Sequence, residues 1–125
     1  MIQSRWSQNT LLGILAVILL LLVIWGWDNG VRAAKAKRIV KDANMMAAAF
    51  TEFRNDQNRY PATTEFQNSD VMRRYVTNFP PQEFPSELCP RSFDYYSASP
   101  QTYELRFCLL KGVKGFQEGW NTLTP

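Results

Sequence analysis

LLGILAVILLLLVIWGW, residues 11–27, is the stretch on which the fold turns. It lies inside a longer run, residues 6–27, that carries no charged side chain. Seventeen helical residues at about 1.5 Å each reach roughly 26 Å, close to the hydrocarbon thickness of a bilayer. A helix can cross that layer because it satisfies its own backbone hydrogen bonds. Trp6 precedes the block, and Trp25 and Trp27 close it. Amphipathic indoles gather at the two membrane–water interfaces, so these three read as interface anchors. The chain divides accordingly into a short tail (1–10), a transmembrane helix (11–27) and one small domain (28–125).

Other readings of the block fit less well. A buried soluble helix is usually shorter and keeps a polar stripe, which is missing here. A re-entrant segment wants interruption, and only Gly13 and Gly26 supply it. A cleaved signal peptide is the main competitor, since Ala34-Lys35-Ala36 has small residues flanking one position. The block is longer than the usual signal core of about 7–15 residues, and Ala36 stands well beyond Trp27. A retained anchor is expected.

Composition narrows the function. Mean hydropathy over the whole chain is negative despite so apolar a block, so residues 28–125 are polar and water-facing. Plentiful aromatics favour a folded domain over disorder. The net charge is +3, and most of the excess follows the anchor as Arg32, Lys35, Lys37, Arg38 and Lys41. A nucleic-acid protein would spread a basic face over its folded domain, so no direct nucleic-acid partner is expected. A solvated helix near anionic headgroups fits the cluster better.

The chain has no histidine, which removes the usual general base and the commonest metal ligand. Cys89 and Cys108 form no CxxC pair and lack a His to complete a zinc site. No phosphate-binding glycine loop or nucleophile elbow is present. No catalytic residue, cofactor or metal site is expected, and the chain reads as a non-enzyme.

Working outward from the anchor, Ala36, Ile39, Ala43, Met46, Phe50 and Phe53 are spaced 3, 4, 3, 4, 3. That is one continuous helical stripe, predicting a helix over about 31–56. Asp28-Asn29-Gly30 could break it from the anchor, but no proline intervenes, so one long helix is expected. It should stop in Asn55-Asp56-Gln57-Asn58, ahead of Tyr60-Pro61. A short second helix over about 70–78 follows, with Ser69 as N-cap and Val71, Met72, Tyr75, Val76 and Phe79 on its apolar side. Pro80-Pro81 ends it, and Pro85 and Pro90 keep the loop that carries Cys89 irregular.

Two strands are predicted next, at about 92–97 and 102–110, with Ala98-Ser99-Pro100 as the turn. In the second, Tyr103, Leu105, Phe107 and Leu109 alternate with Thr102, Glu104, Arg106 and Cys108. The apolar set should pack on the helical stripe, giving an α+β fold: a long N-terminal helix on a small antiparallel sheet. The tail from residue 111 reads as a loop pinned by Phe116 and Trp120. A lone cysteine pair in a domain without other thiol chemistry suits a Cys89–Cys108 disulfide, and Cys108 on the wetter strand face is reachable from the loop.

The order of these parts resembles the type IV pilin and type II secretion pseudopilin superfamily. The words that carry it are AKAKRIVKDANMMAAAFTEFRNDQNRYP (34–61), VMRRYVTNFP (71–80), FDYYSASPQTYELRFCLL (93–110) and GFQEGWNTLTP (115–125). The chain departs from the superfamily's peptidase signature. If Gly13 is the small residue at the cut, Ile14 stands where Phe is usual and Ile18 where Glu is usual. In the superfamily that Glu is thought to pair with a neighbouring subunit's amine, so its absence removes one reason to assemble. The resemblance implies an uncleaved, membrane-resident, pilin-like relative. Its partners would be the lipid bilayer, other pilin-like subunits or membrane proteins of an assembly platform.

Gly13 and Ala16 share a helix face and offer a close-approach spot for such helices. The resemblance also puts the C-terminal domain outside the cytoplasmic membrane. The positive-inside rule disagrees, with only Arg5 and the amino terminus before the span against five basic residues after it. The cysteine pair favours the outside. The leading function is a structural part of a pilus, secretion or DNA-uptake machine. The alternative is a stalked binding module, which exposed Tyr95, Tyr96, Phe116 and Trp120 could serve, although burial in the small core is the use expected of these rings; a cysteine-based redox enzyme is a distant third.

Overall fold

A computed structural model of the chain describes residues 2–76 and 87–125, and the side chains of all of these except residues 2–6 and 69. Six elements follow in order: α1 (Ile2–Gln57), α2 (Thr63–Gln67), α3 (Ser69–Met72), β1 (Phe93–Ser99), β2 (Thr102–Leu109) and β3 (Gly119–Leu123). The fold is α+β, a long N-terminal helix with a three-stranded antiparallel sheet. The chain forms two compact units, Met1–Arg32 and Ala33–Pro125.

In the first unit every described side chain from Ser7 to Asp28 is exposed, including all the Leu, Ile and Val of the apolar block. Helical hydrogen bonding runs unbroken through Asp28-Asn29-Gly30. A helical glycine costs only about 1 kcal/mol relative to alanine, too little to stop the helix there without a proline.

The second unit is built around the stripe. Ala36, Ile39, Ala43, Met46, Phe50 and Phe53 are all buried, joined by Ala49. All but Phe53 share one core with Tyr95, Tyr103, Leu105, Phe107 and Leu109 from the sheet, whereas Phe53 packs on Tyr75, 5.1 Å away between ring centroids. Fully burying a Leu- or Phe-sized side chain contributes about 1.5–3 kcal/mol, so this face holds the helix on the sheet. The Phe50 ring lies 4.9 Å from Tyr95, 4.9 Å from Tyr103 and 5.9 Å from Phe66, centroid to centroid.

Helix α1 ends where the polar cluster predicts. Asn58 turns left-handed at φ 57°, and its N–H donates to the Arg54 carbonyl at 2.8 Å. Asparagine tolerates that conformation better than most residues. Tyr60 then donates its N–H to the Pro100 carbonyl at 2.8 Å, stitching the end of the helix to the hairpin tip.

Between that turn and the sheet the structure differs from the sequence reading. Residues 63–67 form α2, which is not expected from the sequence. Its first turn is closed by Glu65, whose carboxylate accepts the Ala62 N–H at 3.0 Å and also pairs with Arg59. Of the helix expected over 70–78, the described residues form Ser69–Met72 and one further turn closed by Val76 N–H donating to Met72 O at 2.8 Å, and residues 77 and 78 lie outside them. Its cap is Asn68 rather than Ser69. Asn68 Oδ1 accepts the Asp70 N–H at 3.1 Å, so the helix begins one residue earlier than expected. The expectations for Phe79, Pro80, Pro81 and Pro85, and for the Trp6 side chain, lie outside the described residues.

Strand β1 runs two residues past the expected end, so Ala98 and Ser99 belong to the strand and the turn is Pro100-Gln101. The pairing slips between Tyr96 and Ser99. At the slip Ser97 donates its N–H to Thr63 Oγ1 at 3.0 Å, and its hydroxyl lies 2.9 Å from the Thr102 carbonyl. Side-chain bonds thus replace the lost ladder bonds at the bulge.

The tail is also not simply a loop. Gly119–Leu123 pairs antiparallel with β2, Leu105 opposite Leu123 and Cys108 opposite Trp120. A turn at Val113–Phe116 precedes it, with Gly115 at φ 89°, a conformation that favours glycine. Asn121 then holds the turn to the strand, its Nδ2 donating to the Gln117 carbonyl at 2.8 Å.

Candidate functional site

Two surfaces and one covalent link concentrate the features singled out in the sequence. The first surface is the apolar face of the Met1–Arg32 unit. Trp25 is 68% and Trp27 76% exposed, and the aliphatic side chains before them are similarly bare. In water such a contiguous patch would be a severe aggregation hazard. The helix is long and apolar enough to cross a membrane.

On that surface Gly13 leaves a hollow, since a Cβ built there meets nothing within 4 Å. Thr10, Ile14, Val17 and Ile18 rim a shallow groove around it, and Ala16 is exposed nearby on the same turn. Thr10 turns its hydroxyl inward, donating to the Ser7 carbonyl at 3.0 Å, so it adds no unpaired polar group to the apolar face. Gly26 and Gly30 are equally open and four residues apart, a small-residue pair that sequence reasoning passed over although its spacing is legible. Asp28 and Arg32 pair at 3.2 Å one helical turn apart.

The second surface is the water-facing side of the folded unit. Lys37, Arg38 and Lys41 are exposed and Lys35 half-buried, while Ala36, Ile39 and Ala43 between them face the core. At the far end of the helix, Arg54 lies over the Tyr60 ring at 5.2 Å, and Arg59 lies over Phe53 at 5.2 Å while gripping Glu65. The hydrogen bond from Arg59 holds the Glu65 carboxyl below its usual range, against the opposing effect of partial burial.

The outer face of the sheet carries Tyr96, 58% exposed, and a half-buried Trp120 covered by Arg106 at 4.8 Å from its ring. Tyr95, a ring that the binding-module reading would need exposed, is buried on the inner face, the use expected of it in so small a core. Its hydroxyl donates to the Pro61 carbonyl at 2.5 Å, and burial pushes its phenol well above the ordinary range. Phe116 is half-buried and stacks edge-on against Phe107 at 5.2 Å.

Cys89 and Cys108 are bonded to each other, with their Cα atoms 5.5 Å apart. The bond ties the segment before β1 to the middle strand. Cys108 points to the outer face of β2 as its alternation requires, but it is buried rather than wet, because Cys89 and its neighbours cover it. No group of three or more potential metal-ligating side chains occurs among the described residues. No protein-family model, curated protein or solved structure matches the chain.

Proposed function

We propose that this chain is a membrane-anchored, pilin-like structural protein that serves a type IV pilus, type II secretion or DNA-uptake machine. Residues 11–27 hold it in the cytoplasmic membrane as a single span, and the sheet domain faces outward. It works by contact and not by chemistry: lipid-embedded helices of other pilin-like subunits, or of platform proteins, pack against the face around Gly13 and Ala16.

One observation carries this reading. A single helix supplies both a bare apolar span and the buried stripe of a small sheet domain. A soluble protein has no use for the first half, and a simple membrane anchor has no need to share its helix with a domain core. The disulfide supports the outward placement, because such bonds persist in oxidising compartments. Association in lipid relies on close packing at small residues, and the hollow at Gly13 permits it. The missing Glu in the block argues for weak or transient contacts rather than a filament of this chain alone.

In-cell crosslinking from a photoreactive residue at position 13 or 16 tests the proposal. Adducts with pilin-like or platform helices are the expected result. Long filaments of this chain alone would show that the missing carboxylate does not matter. Recovery of monomer only would favour the second reading, a stalked binding module, for which the exposed Tyr96 beside the Arg106–Trp120 pair is the supporting feature.

A further inference from the structure

We infer that β3 is an open edge on which a second copy of this chain docks, the two β3 strands pairing antiparallel about a two-fold axis at Asn121. The inference stands on the sheet alone and goes beyond the helix contacts proposed above.

The hydrogen bonds of the sheet fix which backbone groups this edge presents. In an antiparallel sheet the N–H and C=O of one residue point to the same neighbouring strand, and those of the next residue point to the other. The Cys108 N–H donates to the Ser92 carbonyl at 3.0 Å, on the β1 side. Leu105, Phe107 and Leu109 therefore address β3, where they stand opposite Leu123, Asn121 and Gly119. Trp120 and Thr122 are left pointing away from the sheet, and among the described residues no strand lies beyond them. Thr122 is exposed. The Trp120 carbonyl is reached by the Gln117 side-chain amide at 3.5 Å, the outer limit of a hydrogen bond, so an incoming strand displaces little.

The chain guards its other edge and not this one. Along β1 the pairing slips between Tyr96 and Ser99, Asp94 carries a charge, and the outward Ser97 N–H is taken by Thr63 Oγ1 at 3.0 Å. Bulges, charges and covering segments are the devices that blunt an edge. Gly119–Leu123 has no charged residue, no proline and no slip in register. An edge left in this state is a template for another strand.

A second copy fits that template. With the axis at Asn121, Trp120 and the partner's Thr122 exchange both of their backbone bonds, and symmetry repeats the exchange. On the outer face the Trp120 ring then lies beside the partner's Thr122, an aromatic and β-branched pair of the kind that stabilises sheets. On the inner face Gly119 faces the partner's Leu123, so bulk meets space: a Cβ built on Gly119 touches only Leu88 Cδ1, at 3.9 Å. Glu118 faces the partner's Thr124, and no like charges meet. The pair uses both open edges, and the guarded β1 edges stop it from growing further.

The test uses the full chain in mild detergent with the disulfide intact. Native mass spectrometry should find a dimer of the wild type. Thr122→Pro removes an N–H that β2 does not use, and proline is tolerated at such an edge position. Near-ultraviolet circular dichroism should show its domain folded, while its dimer dissociation constant rises about tenfold or more. Thr122→Val keeps the N–H and the branched side chain and should pair as the wild type does. A spin label on Thr124→Cys gives an independent reading, because both native cysteines are bonded to each other. In the proposed register the two labelled positions lie about 20 Å apart along strands that rise about 3.4 Å per residue. Double electron–electron resonance should report that distance.

A wild type that stays monomeric overturns the inference. So does a dimer that persists in a folded Thr122→Pro, as one held by the spanning helices would, or a label distance far from about 20 Å. If Thr122→Pro does not fold, the label distance decides alone. None of these results touches the anchor reading, which carbonate extraction of the wild type tests separately.

Discussion

Replacing Phe50 by alanine should cost the folded unit about 4 kcal/mol. Phe50 is fully buried, and its ring meets Tyr95 and Tyr103, each at 4.9 Å, and Phe66 at 5.9 Å. Transfer of a side chain this size out of water is worth about 1.5–3 kcal/mol. Each aromatic pair adds about 0.5–1.5 kcal/mol beyond its area. These contributions overlap, and the cavity left behind adds to them, which places the change in the usual range of about 3–5 kcal/mol for a large aromatic. Small domains have only about 5–15 kcal/mol in total, so the variant should sit near its unfolding transition in dilute buffer. Phe50→Leu keeps most of the volume and should cost about 1–2 kcal/mol. The assay is urea unfolding of the full chain in mild detergent, followed by near-ultraviolet circular dichroism with the disulfide intact. A loss below about 1 kcal/mol for Phe50→Ala, or equal losses for Ala and Leu, would refute the ring's central place in the helix–sheet core.

Three further outcomes follow from particular contacts. Cys108→Ser should destabilise by about 3 kcal/mol, the chain-entropy value for a link across 19 positions; thiol labelling of protein from its native membrane should find no free cysteine, and two alkylated cysteines would contradict both the link and the outward topology. Tyr95 and Tyr103 have phenols raised by burial, so the unfolded chain ionises first; stability should hold up to about pH 10 and fall above it. Tyr95→Phe should soften that alkaline fall while costing about 1 kcal/mol at neutral pH for the lost bond to Pro61, which urea titrations at several pH values would read. Asn58→Ala should cost about 1 kcal/mol because alanine resists a φ of 57°, whereas Asn58→Gly should be neutral or stabilising in the same unfolding assay.

The parts legible in the sequence are those with long, strong periods. Six stripe positions with 3, 4 spacing define the buried face of α1, and the strict alternation from Thr102 to Leu109 defines β2 and its core side. The elements that escaped are short. Helix α2 has five residues and no apolar period; it forms because Glu65 closes the turn onto Ala62 and Arg59. Strand β3 also has five residues, with Gly119 at its start and only Trp120 and Leu123 to mark two faces; its pairing is dictated by the already formed edge of β2. The cap of α3 is Asn68 and not the expected Ser69, since Asn68, Ser69 and Asp70 are all capping types side by side and residue type alone does not separate them. Burial of Cys108 could not be read from alternation, since a covalent partner covers what the strand pattern leaves open.

Anchoring with an outward-facing domain is the central claim, and a single fusion tests it most directly. Alkaline phosphatase joined after Pro125 is active only where its own disulfides form. The proposal that residues 11–27 are retained and that the domain lies across the membrane from the cytoplasm requires phosphatase activity in carbonate-washed membranes. Activity released in soluble form would mean that the apolar block is removed as a signal peptide, and an inactive fusion in the membrane would place the domain in the cytoplasm; either result contradicts the account.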